Sequence, residues 1–199
     1  MSDLRRFMDG FPSGIAVVTT FGNGNGPRGM TCSSLARVTL SPPTIMVSLR
    51  SASATLAAVR ARGCLTVNIL HEDASAVADL FASGAADRFD RVEWRYPPGA
   101  GGPHLVADAH ASADCEVMHR LEVGDHSAVF AAVSRVTMRD AAPPLLYGRH
   151  RYDRWSDAAS VPPPDRPRRR SMRPGPPAIS IPGRAWSLSI RCAPLPSVR

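Results

Sequence analysis

The sequence predicts a mainly β fold with short helices, built as a β-barrel with helices packed against it. Short runs rich in β-branched residues recur along the chain, bounded by Gly, Pro and Asn. One longer stretch, Cys115, Val117, His119, Leu121 and Val123, alternates with small or polar residues, as a half-buried strand does. Helical spacing holds only over short segments.

Taken in order, Leu4–Met8 reads as a short amphipathic helix, stopped by Gly10 and Pro12. Ile15–Phe21 is a strand, and Gly22–Pro27 a turn whose Gly and Asn residues accept positive φ. A hairpin partner follows at about Arg28–Leu35, and Pro42-Pro43 introduces a third strand, Thr44–Leu49. Ser51–Arg60 is a helix with serine available as N-cap and Gly63 just past its end. Cys64–Leu70 is a buried strand. Asp73–Ser83 is a helix that Asp73 can cap, with Val77, Leu80 and Phe81 on one face and Gly84 as its stop. Gly124-Asp125 turns the alternating strand into another, Ser127–Val136, and Pro143-Pro144 leads to a last short strand, Leu145–Tyr147.

The 199 residues suffice for one domain with a substantial core. No apolar run is long enough to span a membrane, and the N-terminus shows no secretory pattern, so a cytoplasmic protein is expected. Cys32, Cys64, Cys115 and Cys192 form no C-x-x-C pair and have no histidines at ligand spacing. They read as reduced, mostly buried thiols, and no metal site is expected. All 24 basic residues are arginine, and the net charge is +7. Eight of those arginines against two aspartates fall in residues 157–199, so the charge belongs to that segment. Ten of the last 38 residues are proline. Such a segment buries too little apolar surface to offset its ordering entropy. The expected organisation is therefore a domain over 1–156 and a disordered Pro/Arg-rich C-terminal tail over 157–199.

Several segments could carry chemistry. The glycines of 22–26 do not open a helix, so they lack the context of a dinucleotide fingerprint and read as a hairpin turn. Gly29-Met30-Thr31-Cys32-Ser33-Ser34 is a strand unusually rich in hydroxyls, which either face solvent or serve a phosphate or a ring edge. Ser51-Ala52-Ser53-Ala54-Thr55 opens a helix, either as a simple cap or as a phosphate site made from unpaired N–H groups and the dipole. No acidic residue interrupts either segment. Gly124-Asp125-His126 places a histidine at a turn, where it either pairs with Asp125 or faces a ligand. Arg88-Phe89 and Arg151-Tyr152 each set an arginine beside an aromatic.

Read together, these pieces resemble the short-chain flavin reductases of two-component flavin-dependent monooxygenases, within the flavin-reductase-like, FMN-binding split-barrel family. The resemblance rests on Phe11 to Thr20 (FPSGIAVVTT), Gly29 to Ser34, Leu40-Ser41-Pro42-Pro43, Ser53-Ala54-Thr55 and Val67-Asn68-Ile69-Leu70. It continues through Leu80-Phe81-Ala82, Asp87-Arg88-Phe89, Gly124-Asp125-His126, and Pro144 to Tyr147 with Arg151-Tyr152. The chain departs from the family at Leu35, where an aromatic is usual, and at Arg37, where a small or hydroxyl residue is common.

The resemblance implies a six-stranded split β-barrel of Greek-key type that forms a homodimer, with flavin near the dimer interface. It implies that Thr31, Cys32, Ser33 and Ser34 line the isoalloxazine and phosphate region and that Ser48, Leu49, Ser53 and Thr55 continue the cradle. Arg88 is expected on the phosphate or adenylate side, His126 beside the nicotinamide, and Tyr152 near the same pocket. The implied activity is NAD(P)H-dependent reduction of a dissociable FMN or FAD, with NADH or NADPH as donor. Reduced flavin would pass by diffusion to a separate flavin-dependent monooxygenase. A flavin-binding carrier or sensor without nicotinamide turnover is the alternative on the same fold. Nucleic-acid binding through Arg166–Arg173 is a third reading, weakened by the presence of only Trp186 there for base stacking.

Overall fold

A computed structural model describes residues 2–24, 26–139 and 142–159. Helix α1 (Ser2–Asp9) leads to β1 (Ser13–Gly14), β2 (Ala16–Phe21), β3 (Pro27–Cys32), β4 (Leu35–Leu40) and β5 (Pro43–Arg50). Then come α2 (Ala54–Arg62), β6 (Cys64–Leu70), α3 (Ser75–Ser83), β7 (Trp94–Arg95) and β8 (His104–Leu105). The long strands β9 (Ala109–Val123) and β10 (His126–Met138) follow, and β11 (Leu145–Gly148), β12 (Arg151–Arg154) and α4 (Trp155–Ala159) close the described chain.

The fold is mainly β with short helices. Seven strands form one sheet in the order β3-β2-β6-β9-β10-β5-β4; β1-β11-β12 and β7-β8 form smaller sheets. The resemblance implies six strands, and the ladders do not close the main sheet into a barrel. Its curl nonetheless brings edge strand β3 against β5. The Cys32 thiol lies 3.8 Å from the Ser48 carbonyl, and the Ser48 amide donates to Ser34 O at 3.2 Å.

The expected single strand Arg28–Leu35 is two strands. β3 pairs with β2 and β4 pairs with β5, so the chain must break between them, at Ser33-Ser34. Ser53, not Ser51, caps α2: its hydroxyl accepts from Leu56 N at 3.1 Å, while Ser51 N donates to Asp125 O at 2.8 Å. Gly63 ends α2 with φ 71°. Asp73 does not cap α3; its carboxylate pairs with Arg154 at 3.1 Å. β9 begins six residues before the expected Cys115, because the small residues of its first half lie flat against β6. β7, β8, β12 and α4 are too short to register as periodicity.

Helix α4 crosses the expected domain boundary at 156/157. Ser156 donates to Glu72 through its amide at 3.1 Å and its hydroxyl at 2.7 Å. Residues 160–199, the rest of the disordered tail expected over 157–199, with Arg166–Arg173 and Trp186, lie outside the described residues. Cys32 and Cys115 are free thiols, but Cys64 is disulfide-bonded, against the expectation of reduced cysteines throughout. Among the described residues no helix is long and apolar enough to cross a membrane.

Two apolar clusters share β2. Ala16 and Val18 join Val47, Leu49, Leu56, Leu65 and Val129 on one face. Ile15 and Val17 join Leu70, Ala78, Phe81, Leu105 and Leu145 on the other. Strand alternation sends neighbouring residues to opposite cores, which is why every residue of β2 is buried.

A polar network continues the second of these faces, where Asn68 and Thr66 lie opposite Val17 and Thr19 of β2 and Asp114 lies opposite Thr66. Asn68 is fully buried and fully bonded. Its amide donates to Val17 O, Thr19 Oγ1 and Pro103 O at 3.1–3.3 Å, and its Oδ1 accepts from Leu105 N and Ser112 Oγ. The buried Asp114 carboxylate accepts from Thr66 Oγ1 at 2.7 Å, Gly101 N at 3.1 Å and Arg135 Nε at 2.9 Å, with His104 Nε2 at 2.9 Å. The network straps the segment 101–105 onto the sheet. Gly101 and Gly102 permit it, since a Cβ there would overlap the backbone carbonyls of Leu65 and Thr19.

Burial alone would raise the Asp114 pKa, but the hydrogen bonds from His104, Thr66 and Arg135 outweigh it and bring the pKa down to about 2. The folded value lies below the unfolded one, so this stabilisation is present above about pH 4 and is lost as pH falls through about 2. Asp114→Asn is expected to destabilise the fold by about 3 kcal/mol at neutral pH, measured by urea unfolding. The gap from wild type should shrink as the pH approaches about 2. A gap of constant size would show that charge is not what the network uses.

Candidate functional site

Where β3 meets β5, the sheet opens into a cleft of about 680 Å³. β3 and the break after it supply Thr31, Cys32, Ser33 and Ser34; β5 supplies Ser48 and Arg50. The start of α2 adds Ser53 and Thr55, the end of α3 adds Ser83 and Gly84, and Arg88 and His126 complete the wall. Among the described residues no aspartate or glutamate lines it.

Each wall has a local cause. Thr31 donates to Ala78 O at 2.6 Å, which fixes α3 beside β3. The Cys32 thiol is buried, and burial pushes its pKa up, so it stays protonated and serves as packing. Ser53 orients the first turn of α2, whose positive dipole end and unpaired N–H groups suit an anion.

Arg88 is half-buried. Its Nη1 donates to Ala85 O at 2.8 Å, but its buried Nε has no hydrogen-bond partner. Burial, reinforced by nearby Arg28, pushes its pKa down. No acidic partner is found for it among the described residues. A desolvated guanidinium without a counter-ion is poorly satisfied, and an anion in the cleft would relieve it.

His126 opens β10. Its Nδ1 lies 2.8 Å from Asp125 Oδ1, and this contact draws the Asp125 carboxyl below its usual range. Asp125 O accepts from Ser51 N, so the histidine turn and the approach to α2 are joined. With Nδ1 engaged, Nε2 is the ring atom left to meet a ligand.

Two expected site residues lie elsewhere. Leu49 is wholly in the core and does not line the cleft. Adjacent residues on a strand face opposite sides, so Ser48 and Leu49 cannot both face one ligand. The same alternation puts Arg50 beside Ser48, a cleft residue that sequence reasoning passed over although the period-2 rule identifies it. Tyr152 is also away from the cleft. It donates to Asp79 Oδ1 at 2.9 Å and packs on Tyr147, and burial together with Asp79 holds its pKa up. It supports α3 from behind. In the sequence Ser83 and Gly84 mark only the end of a helix; nothing local points to a cleft wall.

The sequence pattern of the flavin reductase like domain matches residues 8–156. The chain belongs to this family. The flavin reductase (NADPH) of Lentzea aerocolonigenes is 43% identical over 155 residues, covering 78% of this chain and 90% of that one. The flavin reductase (NADH) of Kitasatospora aureofaciens is 39% identical over 150 residues, covering 74% and 78%. Among solved structures, the NADH:FAD oxidoreductase of Streptomyces globisporus in complex with NAD and FAD fragments superposes with a TM-score of 0.72 at 30% identity, covering 81% of this chain and 93% of that one. The styrene monooxygenase flavin reductase of Pseudomonas putida superposes with a TM-score of 0.69 at 30% identity, covering 76% and 96%. This family member thus shares its fold and most of its length with flavin reductases.

Ser53→Ala is expected to lower stability by about 1 kcal/mol in urea unfolding, because it removes the cap of α2. Ser51→Ala should stay within about 0.5 kcal/mol of wild type. Reversed magnitudes would put the cap at Ser51.

Proposed function

We propose that this chain is an NAD(P)H-dependent flavin reductase that treats FMN or FAD as a dissociable substrate. The observation that carries the reading is the cleft itself. Among the described residues it is lined by hydroxyls, opened on by a helix N-terminus, free of carboxylates, and supplied with a half-buried arginine in want of an anion. Those features fit a flavin phosphate. The names of the relatives, with NADPH, NADH and FAD among them, support the same assignment.

The residues Thr31, Cys32, Ser33, Ser34, Ser48, Ser53 and Thr55 would hold the flavin, with Arg88 on its phosphate side. When flavin and nicotinamide are bound, they supply the redox chemistry, a hydride passing from nicotinamide C4 to flavin N5. The chain contributes placement: the two rings must lie about 3–3.5 Å apart in a near-attack arrangement. His126, oriented by Asp125, would position the nicotinamide at the rim. No side chain has to carry a proton in that step. The disposition of β3 against β5 supports the split-barrel reading.

The outer face of β5, β10 and β9 beside the cleft carries Met46, Phe130, Leu121 and Val123, with Leu121 59% and Val123 60% exposed. An apolar face of this kind supports a homodimer. A cytoplasmic setting, and diffusive delivery of reduced flavin to a separate monooxygenase, complete the proposal; the similarity to the styrene monooxygenase flavin reductase supports a monooxygenase as the partner.

The test is nicotinamide oxidation by catalytic amounts of the full chain, with free FMN and then FAD titrated in. Saturable turnover in excess of enzyme is expected. Flavin binding without turnover, using either NADH or NADPH, would instead favour a flavin carrier or sensor. His126→Ala should raise KM for the nicotinamide about tenfold while changing flavin affinity by less than about twofold. Collapse of flavin affinity at constant nicotinamide KM would remove His126 from the nicotinamide.

A further inference from the structure

Across the Ser33-Ser34 link from the main cleft lies a second groove, of about 410 Å³. Ser33 and Ser34 line both, so the two adjoin. The N-terminal segment contributes Arg5, Asp9 and Phe11 to the second groove, and the β11–β12 hairpin contributes Arg149 and His150.

The hairpin tip is unusual. Arg149 and His150 are its two loop residues, and both have positive φ, 50° and 62°. Such two-residue turns favour Asn, Asp and Gly, because a larger L-residue is strained there. An arginine and a histidine held against that preference point to a use for their side chains. Asp9 is the groove's acid, and it is engaged by His150 Nε2 at 3.2 Å. No ion-pair partner for Arg5 or Arg149 is found among the described residues. Phe11, 67% exposed, offers a bare aromatic surface on the same wall. Two unpaired guanidiniums beside an uncovered aromatic ring are suited to a phosphorylated purine nucleotide: the ring stacks on the base and the forks take the phosphate.

We propose that this groove binds the adenylate end of the nicotinamide dinucleotide, with Arg149 and Arg5 gripping the 2′-phosphate that distinguishes NADPH from NADH. The proposal rests on the reductase reading for its choice of nucleotide. With the nicotinamide beside His126 in the main cleft, the dinucleotide crosses the shared Ser33-Ser34 wall into the second groove. Arg149 and Arg5 are then specificity residues for the electron donor.

The decisive experiment needs no turnover. Adenosine 2′,5′-bisphosphate and adenosine 5′-monophosphate are titrated by calorimetry into the full chain and into Arg5→Ala and Arg149→Gly. Wild type should bind the bisphosphate at least about tenfold more tightly, and each variant should lose most of that preference. Arg149→Gly removes the guanidinium while relieving the positive φ, so its melting temperature should not fall, and lost binding cannot then be ascribed to misfolding. In turnover, the ratio of KM for NADPH to KM for NADH should rise about tenfold in the same variants. Equal binding of the two nucleotides by wild type, binding of neither, or a preference that survives both substitutions would overturn the proposal. A clear preference in a chain that reduces no flavin would leave the groove assigned and refute the reductase reading instead.

Discussion

The buried polar network around Asn68 and Asp114 is the interaction on which the rest of the structure leans. Asn68 on β6 and Asp114 on β9 sit where a hydrocarbon core would otherwise continue. A buried amide or carboxylate is tolerated only when its hydrogen bonds are made, and here strands β2, β6 and β9 and the segment 101–105 must all be in register to make them. That demand rules out sliding of the central strands by even one residue, because a slip would turn Asn68 and Asp114 to the wrong face. β2 in turn carries β3 along one edge, and β9 carries β10 and β5 toward the other. The cleft forms where those two ends come together, so its geometry is inherited from a network remote from any ligand.

Around the cleft, the same residues serve structure and chemistry in succession. Thr31 anchors α3 and thereby sets one wall. Ser53 caps α2 and thereby aims the helix dipole at the opening. Asp125 orients His126 through its carboxylate and receives Ser51 N through its carbonyl, so the histidine turn and the approach to α2 share one link. Arg88 is the exception to this economy. It is desolvated, flanked by Arg28 and incompletely bonded, an arrangement that makes sense as a site waiting for negative charge. Membership of the flavin reductase family and the cleft's own chemistry converge on the same ligand class.

The positive charge of the chain also needs placing. Its formal excess lies in residues 157–199, while the arginines that line the two grooves, Arg50 and Arg88 in the first and Arg5 and Arg149 in the second, belong to a body that is close to neutral overall. Local arrangement, and not net charge, decides what these groups can hold: a guanidinium half-buried in a cleft acts at close range and low screening.

The sequence by itself determined the strand-rich class, the limits of β2, β5 and β6 to within a residue or two, the glycine stops of α2 and α3, and the segments 29–34 and 51–55 as candidates for a cleft wall. Each of these follows from local rules: β-branched runs, positive-φ glycines, and hydroxyls without interrupting acids. Tertiary structure alone decided the break at Ser33-Ser34, since it depends on β3 and β4 having different partners. It also decided that Tyr152 braces α3 from outside the site and that the end of α3 forms a wall. The physical reason is the same in every case. Propensity and periodicity act within a few residues, whereas pairing partners, the face a strand presents, and the company a side chain keeps are set by contacts dozens of positions apart, as between Asp79 and Tyr152 or Asn68 and Pro103.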